Sequence, residues 1–140
     1  MQTLLYARAI ITDGIHVLVN RTSKGSKLFG GKVKPSERSV DALRRELREE
    51  LSHPFTIDGR LLFVSERIEK RKKQKVRIIE FHYRGTKLLA GQPKALEEGL
   101  DPIWVALGHD EFNTLEPGIR HFLEDYLTPD TYKERISSLR

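Results

Sequence analysis

The chain has 140 residues, 38% hydrophobic and 32% charged, enough for one domain that buries a core without staples. It contains no cysteine, which excludes disulfides and thiolate metal sites, and its net charge of +5 favours anionic partners. No apolar run approaches the ~18 residues of a membrane span and no secretory leader opens the chain, so a cytoplasmic protein with no membrane partner is expected.

Thr3 to Thr12 is rich in aliphatic residues and predicts a strand. Asp13-Gly14 signals a tight turn, and His16 to Asn20 predicts a second strand. Thr22 to Lys27 reads as a loop, and Leu28 to Val33 follows with its paired glycines, Gly30 and Gly31. From Ser36 to Leu51 the period becomes helical, with Val40, Leu43, Leu47 and Leu51 building one apolar stripe. Ser36 is the expected N-cap. Pro54 stops the helix and biases His53 away from helical angles.

Asp58-Gly59 predicts another turn. Arg60 to Ile68 and Val76 to Tyr83 predict two strands, joined by a basic hairpin loop from Glu69 to Lys75. Ala90 to Asp101 reads as a loop, and Ile103 to Leu107 as a short strand carrying the one tryptophan, Trp104. Glu116 to Leu127 predicts a helix whose apolar face holds Ile119, Phe122, Leu123, Tyr126 and Leu127. A weaker helical pattern at Tyr132, Ile136 and Leu139 ends the chain. Strands interleaved with helices and hairpins predict an α/β fold, a mixed sheet between helices.

The stretch that carries chemistry is the first helix. Glu46, Glu49 and Glu50 fall at i, i+3 and i+4, so their carboxylates share one face while the apolar stripe points elsewhere. Like charges so spaced repel, and a divalent cation would reverse the sign of that effect. Oxygen-only ligation suits hard ions, Mg²⁺ or Mn²⁺. Taken alone, the three glutamates read equally as a solvated face paired with Arg44, Arg45 and Arg48.

The wider spacing decides between the two. Gly31, Glu37, Arg45, Glu46, Leu47, Glu49 and Glu50 stand in register with the Nudix box: Gly, five residues, Glu, seven residues, Arg-Glu, an aliphatic, any residue, Glu-Glu. At average residue usage, seven such matches arise by chance in roughly one window in 10⁸. The segment Gly31 to His53 therefore resembles the box of that family, and the strand order around it is similar too. The resemblance ends before the box does: Ser52 stands where the family has glycine, and His53 where it has an aliphatic residue. Glycine there supplies a left-handed helix cap, so Ser52 in the same conformation would carry modest strain.

The resemblance implies a single Nudix domain over residues 1–140, an α/β/α sandwich that hydrolyses a phosphate–phosphate bond. It assigns the metal, Mg²⁺ or Mn²⁺, to Glu46, Glu49 and Glu50 with the Gly31 carbonyl, and catalysis to Glu49, Glu50 and a loop glutamate. Glu97 and Glu98 are the candidates for the last, with Glu98 preferred. Gly30, Gly31 and Lys32 are expected at the substrate phosphates, and Glu37 and Arg45 are read as an ion pair supporting the loop. Lys34 reads equally as a phosphate contact or a solvated lysine.

Phe29-Gly30-Gly31-Lys32-Val33 is similar to the matching stretch of nucleoside triphosphatases that remove oxidised purine nucleotides, which favours a MutT-like triphosphatase. Neither the proline of the family's ADP-ribose hydrolases nor the tyrosine of its dinucleoside polyphosphate hydrolases appears near Arg67 to Arg71. Seven cations crowd Arg67 to Arg77 and are read as a hairpin that deters edge aggregation, or as a contact for an RNA 5′ end. Other readings kept open are a dinucleoside polyphosphate or ADP-ribose hydrolase and a non-catalytic nucleotide-binding module, as monomer or homodimer.

Overall fold

The computed structural model describes residues 1–52, 55–87 and 92–127. His53, Pro54 and the helical pattern at Tyr132 to Leu139 lie outside the described residues. Among the described residues, seven strands and two helices follow in the order β1 (Gln2–Ile11), β2 (His16–Thr22), β3 (Gly25–Lys27), β4 (Gly30–Lys32), α1 (Ser39–Glu50), β5 (Phe55–Arg71), β6 (Gln74–Lys87), β7 (Pro102–Ala106) and α2 (Pro117–Tyr126). A 3₁₀ turn, Phe112–Thr114, precedes α2.

The strands form a mixed sheet ordered β4-β1-β6-β5 and an antiparallel sheet ordered β3-β2-β7. In the first sheet β1 runs parallel to β6 and antiparallel to β4. A parallel pair needs a crossover, here supplied by the segment containing α1 and β5.

Apart from Arg8, the second half of β1 is apolar because both of its faces are covered. Ala7, Ala9 and Ile11 join Leu18, Phe29, Leu43, Leu47, Leu51 and Ile57 in the core under α1. Ile10, with Val17, Val19 and Val105, points the other way to meet Ile119, Leu123 and Leu127 of the α2 side. The expected mixed sheet between helices is the architecture found. In α1, Leu43 and Leu47 are buried as the stripe predicted, with Ala42 beside them. Fully burying a leucine contributes about 1.5–3 kcal/mol, so this face fixes which side of the helix meets solvent.

Several local expectations are corrected. The helix starts at Ser39, not Ser36, and Arg38 occupies the N-cap position without a side-chain cap. The preceding residues are held as a turn instead: Glu37 N–H donates to Lys34 O at 3.0 Å, and Lys34 N–H donates to Glu37 Oε1 at 3.0 Å. Thr22 to Lys27 is not all loop, since Gly25–Lys27 pairs with β2. Asp58-Gly59 is a bulge within β5 rather than a turn, with Gly59 at φ +76 and the register shifting beyond Ile57. The basic hairpin loop shrinks to Lys72 and Lys73, because Lys70 pairs with Lys75 and Arg71 with Gln74.

Ser52 is not in the left-handed region. Leu51 is already extended at φ −128 and ψ 137, and the chain leaves α1 by pairing with the loop that precedes β7. Leu51 bridges Ala95, Ser52 N–H donates to Lys94 O at 3.0 Å, and Leu96 N–H donates to Glu50 O at 2.9 Å. These bonds satisfy the helix end that a glycine cap would otherwise serve.

Candidate active site

Gly30 and Gly31 form β4 with Lys32 and lie against the last turns of α1. Gly30 has φ +141, a conformation that residues with a side chain rarely adopt, and a β-carbon there would stand 2.9 Å from Arg8 Cα. Its N–H donates to Glu50 Oε1 at 3.3 Å. Gly31 serves a different need. The Glu46 carboxylate occupies the space that a side chain at residue 31 would fill, with Oε1 2.6 Å from the position of a β-carbon.

Arg45 organises the surrounding acids. It grips Glu37 at two points, Nε to Oε2 at 2.8 Å and Nη2 to Oε1 at 2.9 Å, and its Nη1 donates to Glu46 Oε1 at 2.9 Å. Its Nη2 also reaches the Lys32 carbonyl at 3.3 Å, and Glu49 Oε2 lies 3.5 Å from Nη1. The hydrogen bonds from Arg45 and from Lys34 N–H hold the Glu37 carboxyl down at about 2. Glu37 and Arg45 thus clamp the turn before the helix to the helix itself. Lys32 stands exposed beyond them, on a cleft shared with Arg45 and Glu46.

The three carboxylates have different surroundings. Glu49 is half exposed, Glu46 is one-fifth exposed, and Glu50 is partly buried. Burial, and then the charge of Glu46, push the Glu50 carboxyl up to about 7. The carboxylates diverge, Glu46 and Glu49 toward Arg45 and Glu50 toward Gly30, so no three acidic or histidine side chains form a metal-sized cluster among the described residues. The donor set nevertheless fits a hard divalent ion. It is all oxygen, it stands over bare backbone at Gly31, and Glu50 is held where its negative charge is poorly compensated.

After burial and Glu46, the charge of Glu97 also raises the Glu50 carboxyl. The cause is the pairing of Ala95 and Leu96 with the end of α1, which brings the next residue toward the site. Glu98, preferred from the sequence, is the next residue, and both glutamates are exposed. Sequence reading also passed over Arg8, which lies opposite Gly30 in β1 and whose charge reaches Glu50. Its signal was an arginine amid the apolar run of β1. The groove on the far side of α1, lined by Arg44, Arg48 and Phe55, holds none of the glutamates.

The NUDIX domain family model matches residues 4–126. A search of the curated proteins found no match. Among solved structures, the chain is similar to the ORF135 protein of E. coli, with 26% identity, 89% of this chain and 88% of that one covered, and a TM-score of 0.60. It shares its fold with a MutT NUDIX hydrolase from Burkholderia pseudomallei, at 22% identity, 91% and 100% coverage and a TM-score of 0.65. It does so too with the MutT protein from Methanosarcina mazei Go1, at 24% identity, 89% and 93% coverage and a TM-score of 0.63. No helix among the described residues is long and apolar enough to cross a membrane. The match over 4–126 includes every residue of the site just described, and the chain belongs to the NUDIX-domain family, with the fold of the MutT proteins it is similar to.

Proposed function

We propose that the chain, as one hydrolase domain, is a MutT-like nucleoside triphosphate pyrophosphohydrolase that uses Mg²⁺ or Mn²⁺. Water and a nucleoside triphosphate give the monophosphate and diphosphate. The observation that carries this reading is the presence of Glu46, Glu49 and Glu50 on one helix end beside the bare backbone of Gly30 and Gly31.

Glu46, Glu49 and Glu50, with the Gly31 carbonyl, would hold the metal. When bound, a divalent ion shields phosphate charge, polarises the scissile bond and acidifies a water. The chain's own residues do the rest. Gly30 and Gly31 let phosphate oxygens approach the backbone, and Lys32 balances charge on the departing phosphate. Glu49, Glu50 or a loop carboxylate accepts the proton of the attacking water as the anhydride P–O bond breaks. The effect of the Glu97 charge on Glu50 favours Glu97 over Glu98 for the loop role. Glu37 and Arg45 keep the glycine strand and the carboxylate helix in one register.

The test is product analysis on a substrate panel with and without Mg²⁺ or Mn²⁺. The panel holds normal and oxidised nucleoside triphosphates, ADP-ribose, dinucleoside polyphosphates and 5′-triphosphate RNA. Metal-dependent release of monophosphate and diphosphate from a triphosphate supports the proposal. Turnover confined to another class replaces the substrate, and turnover of none by folded protein counts against catalysis.

A further inference from the structure

A second cleft, about 410 Å³ in volume, lies on the face of β1 that carries Tyr6 and Arg8. It is large enough for one nucleotide-sized group. Its floor is Glu80, 3% exposed, which accepts Arg8 Nε at 2.8 Å on one oxygen and binds Arg67 on the other. Burying one carboxylate between two guanidinium groups fixes both arginines and leaves positive charge uncompensated. Arg67 is tied further by Glu69, whose Oε1 accepts its Nε at 2.9 Å.

The rest of the cleft adds to that charge. Arg71 reaches the Tyr6 hydroxyl at 3.3 Å, and Lys24 and Lys27 stand exposed, with no ion-pair partner among the described residues. Five cations face the carboxylates of Glu69, Glu80 and Glu116. The one aromatic ring in the cleft is no platform for a base, since the Arg8 guanidinium covers Tyr6 at 5.2 Å from its centroid. Arg8 also ties the cleft to the carboxylate helix: it pairs with Gly30 across the sheet, and its charge acts on Glu50.

The geometry points to a second anion subsite. The group attached to the scissile anhydride enters this cleft and carries a further phosphate of its own, remote from that anhydride, held by Lys24, Lys27 and Arg67. The substrate class is thus a small nucleotide-like phosphoanhydride with an additional phosphate on its organic part. This inference rests on the hydrolase reading above and narrows its substrate. A neutral base in the same place would find guanidinium and ammonium groups without an aromatic face to stack on.

The experiment is calorimetric titration of the full chain in metal-free buffer at low salt. The probes are adenosine 5′-monophosphate, adenosine 3′,5′-bisphosphate and a 5′-phosphorylated RNA trinucleotide. The bisphosphate is expected to bind roughly tenfold tighter than the monophosphate, the worth of one further charge-assisted contact. The double variant Lys24→Ala/Lys27→Ala should lose most of that preference, and Lys24→Arg/Lys27→Arg should keep it. Equal affinities in the wild type, or an undiminished preference in the alanine variant, would overturn the subsite. Trinucleotide bound more than about tenfold tighter than the bisphosphate would replace the small-molecule assignment with a polynucleotide one. Binding is read without turnover, so the two readings fail separately. A protein that keeps the preference but is inactive on the whole panel, extended with a nucleotide phosphoanhydride that carries a further 3′-phosphate, counts against the hydrolase alone, and an active enzyme without the preference counts against the subsite alone.

Discussion

Glu46 occupies the space that a side chain on Gly31 would need: a β-carbon at residue 31 would stand 2.6 Å from Glu46 Oε1. The neighbouring glycine answers to a different constraint, because at Gly30 the obstacle is the backbone of Ala7 and Arg8. The two positions should therefore fail differently. Gly31→Ala meets the mobile end of a side chain, so it should fold with a loss of about 1 kcal/mol or less and displace Glu46. Gly30→Ala meets main chain at φ +141 and should cost roughly 2–4 kcal/mol. Denaturant unfolding and Mg²⁺-dependent turnover, measured on both, check this. A Gly31 variant with full activity would contradict the assignment of Glu46 to the metal.

The clamp between Glu37 and Arg45 gives a pH-dependent prediction. The folded-state carboxyl sits at about 2, below its ordinary 4.5, so its contribution to stability is complete above pH 4.5 and is lost as pH falls toward 2. The difference in melting temperature between wild type and Glu37→Gln should be present at neutral pH and shrink across that window. Activity of the variant should fall roughly 10- to 100-fold, the usual cost of losing a partner that orients a ligating side chain. A constant melting difference down to pH 2 would contradict the ion pair as its source.

His82 sets a second window. It is fully buried and stacked on Phe63 with ring centroids 3.9 Å apart. Its Nδ1 lies 3.3 Å from the Phe63 carbonyl, which accepts, so the proton belongs on Nδ1, and Nε2 has no partner among the described residues. Burial pulls its pKa down to about 4 from 6.5. Folding thus favours the neutral ring, and stability is complete above pH 6.5 and declines as pH falls toward 4, by on the order of 3 kcal/mol. His82→Phe should flatten that decline, and comparison with it isolates His82 from Glu50, whose raised carboxyl acts in the opposite sense. Parallel pH–stability curves for the two proteins would show that another group is responsible.

The hairpin tip holds Lys72 at φ 46 and Lys73 at φ 67, a left-handed pair where Asn-Gly is the favoured sequence. Lys72→Asn/Lys73→Gly should stabilise the fold by about 0.5–1 kcal/mol, a rise of a few degrees in Tm. With the tip acting as a solvated turn, affinity for short RNA and its salt dependence should not change. A weaker, flatter salt response in the variant would assign the tip to RNA contact instead.

Much of this was legible in the sequence for physical reasons. The stripe of Leu43, Leu47 and Leu51 announced the helix and its buried side because helical periodicity is a local property. The spacing of Gly31, Glu37, Arg45 and Glu46 announced the clamp and the acid beside the glycine. What was misread depended on partners distant in sequence. Ser52 escapes the left-handed cap because Lys94 and Ala95 complete the helix end. Asp58-Gly59 stays within a strand because β6 continues past it. Arg8 could not be recognised until folding set it beside Gly30 and over Glu80, 72 residues away.

The most direct test of the proposed function is the rate of metal-dependent nucleotide hydrolysis by Glu49→Gln against wild type. Glu49 is half exposed and among the described residues makes only a 3.5 Å contact with Arg45, so its loss should leave the fold intact. Removing one proposed ligand should lower kcat by on the order of 10³ with little change in Tm. Full activity in that variant, with Mg²⁺ still required, would contradict the assignment of the chemistry to this helix.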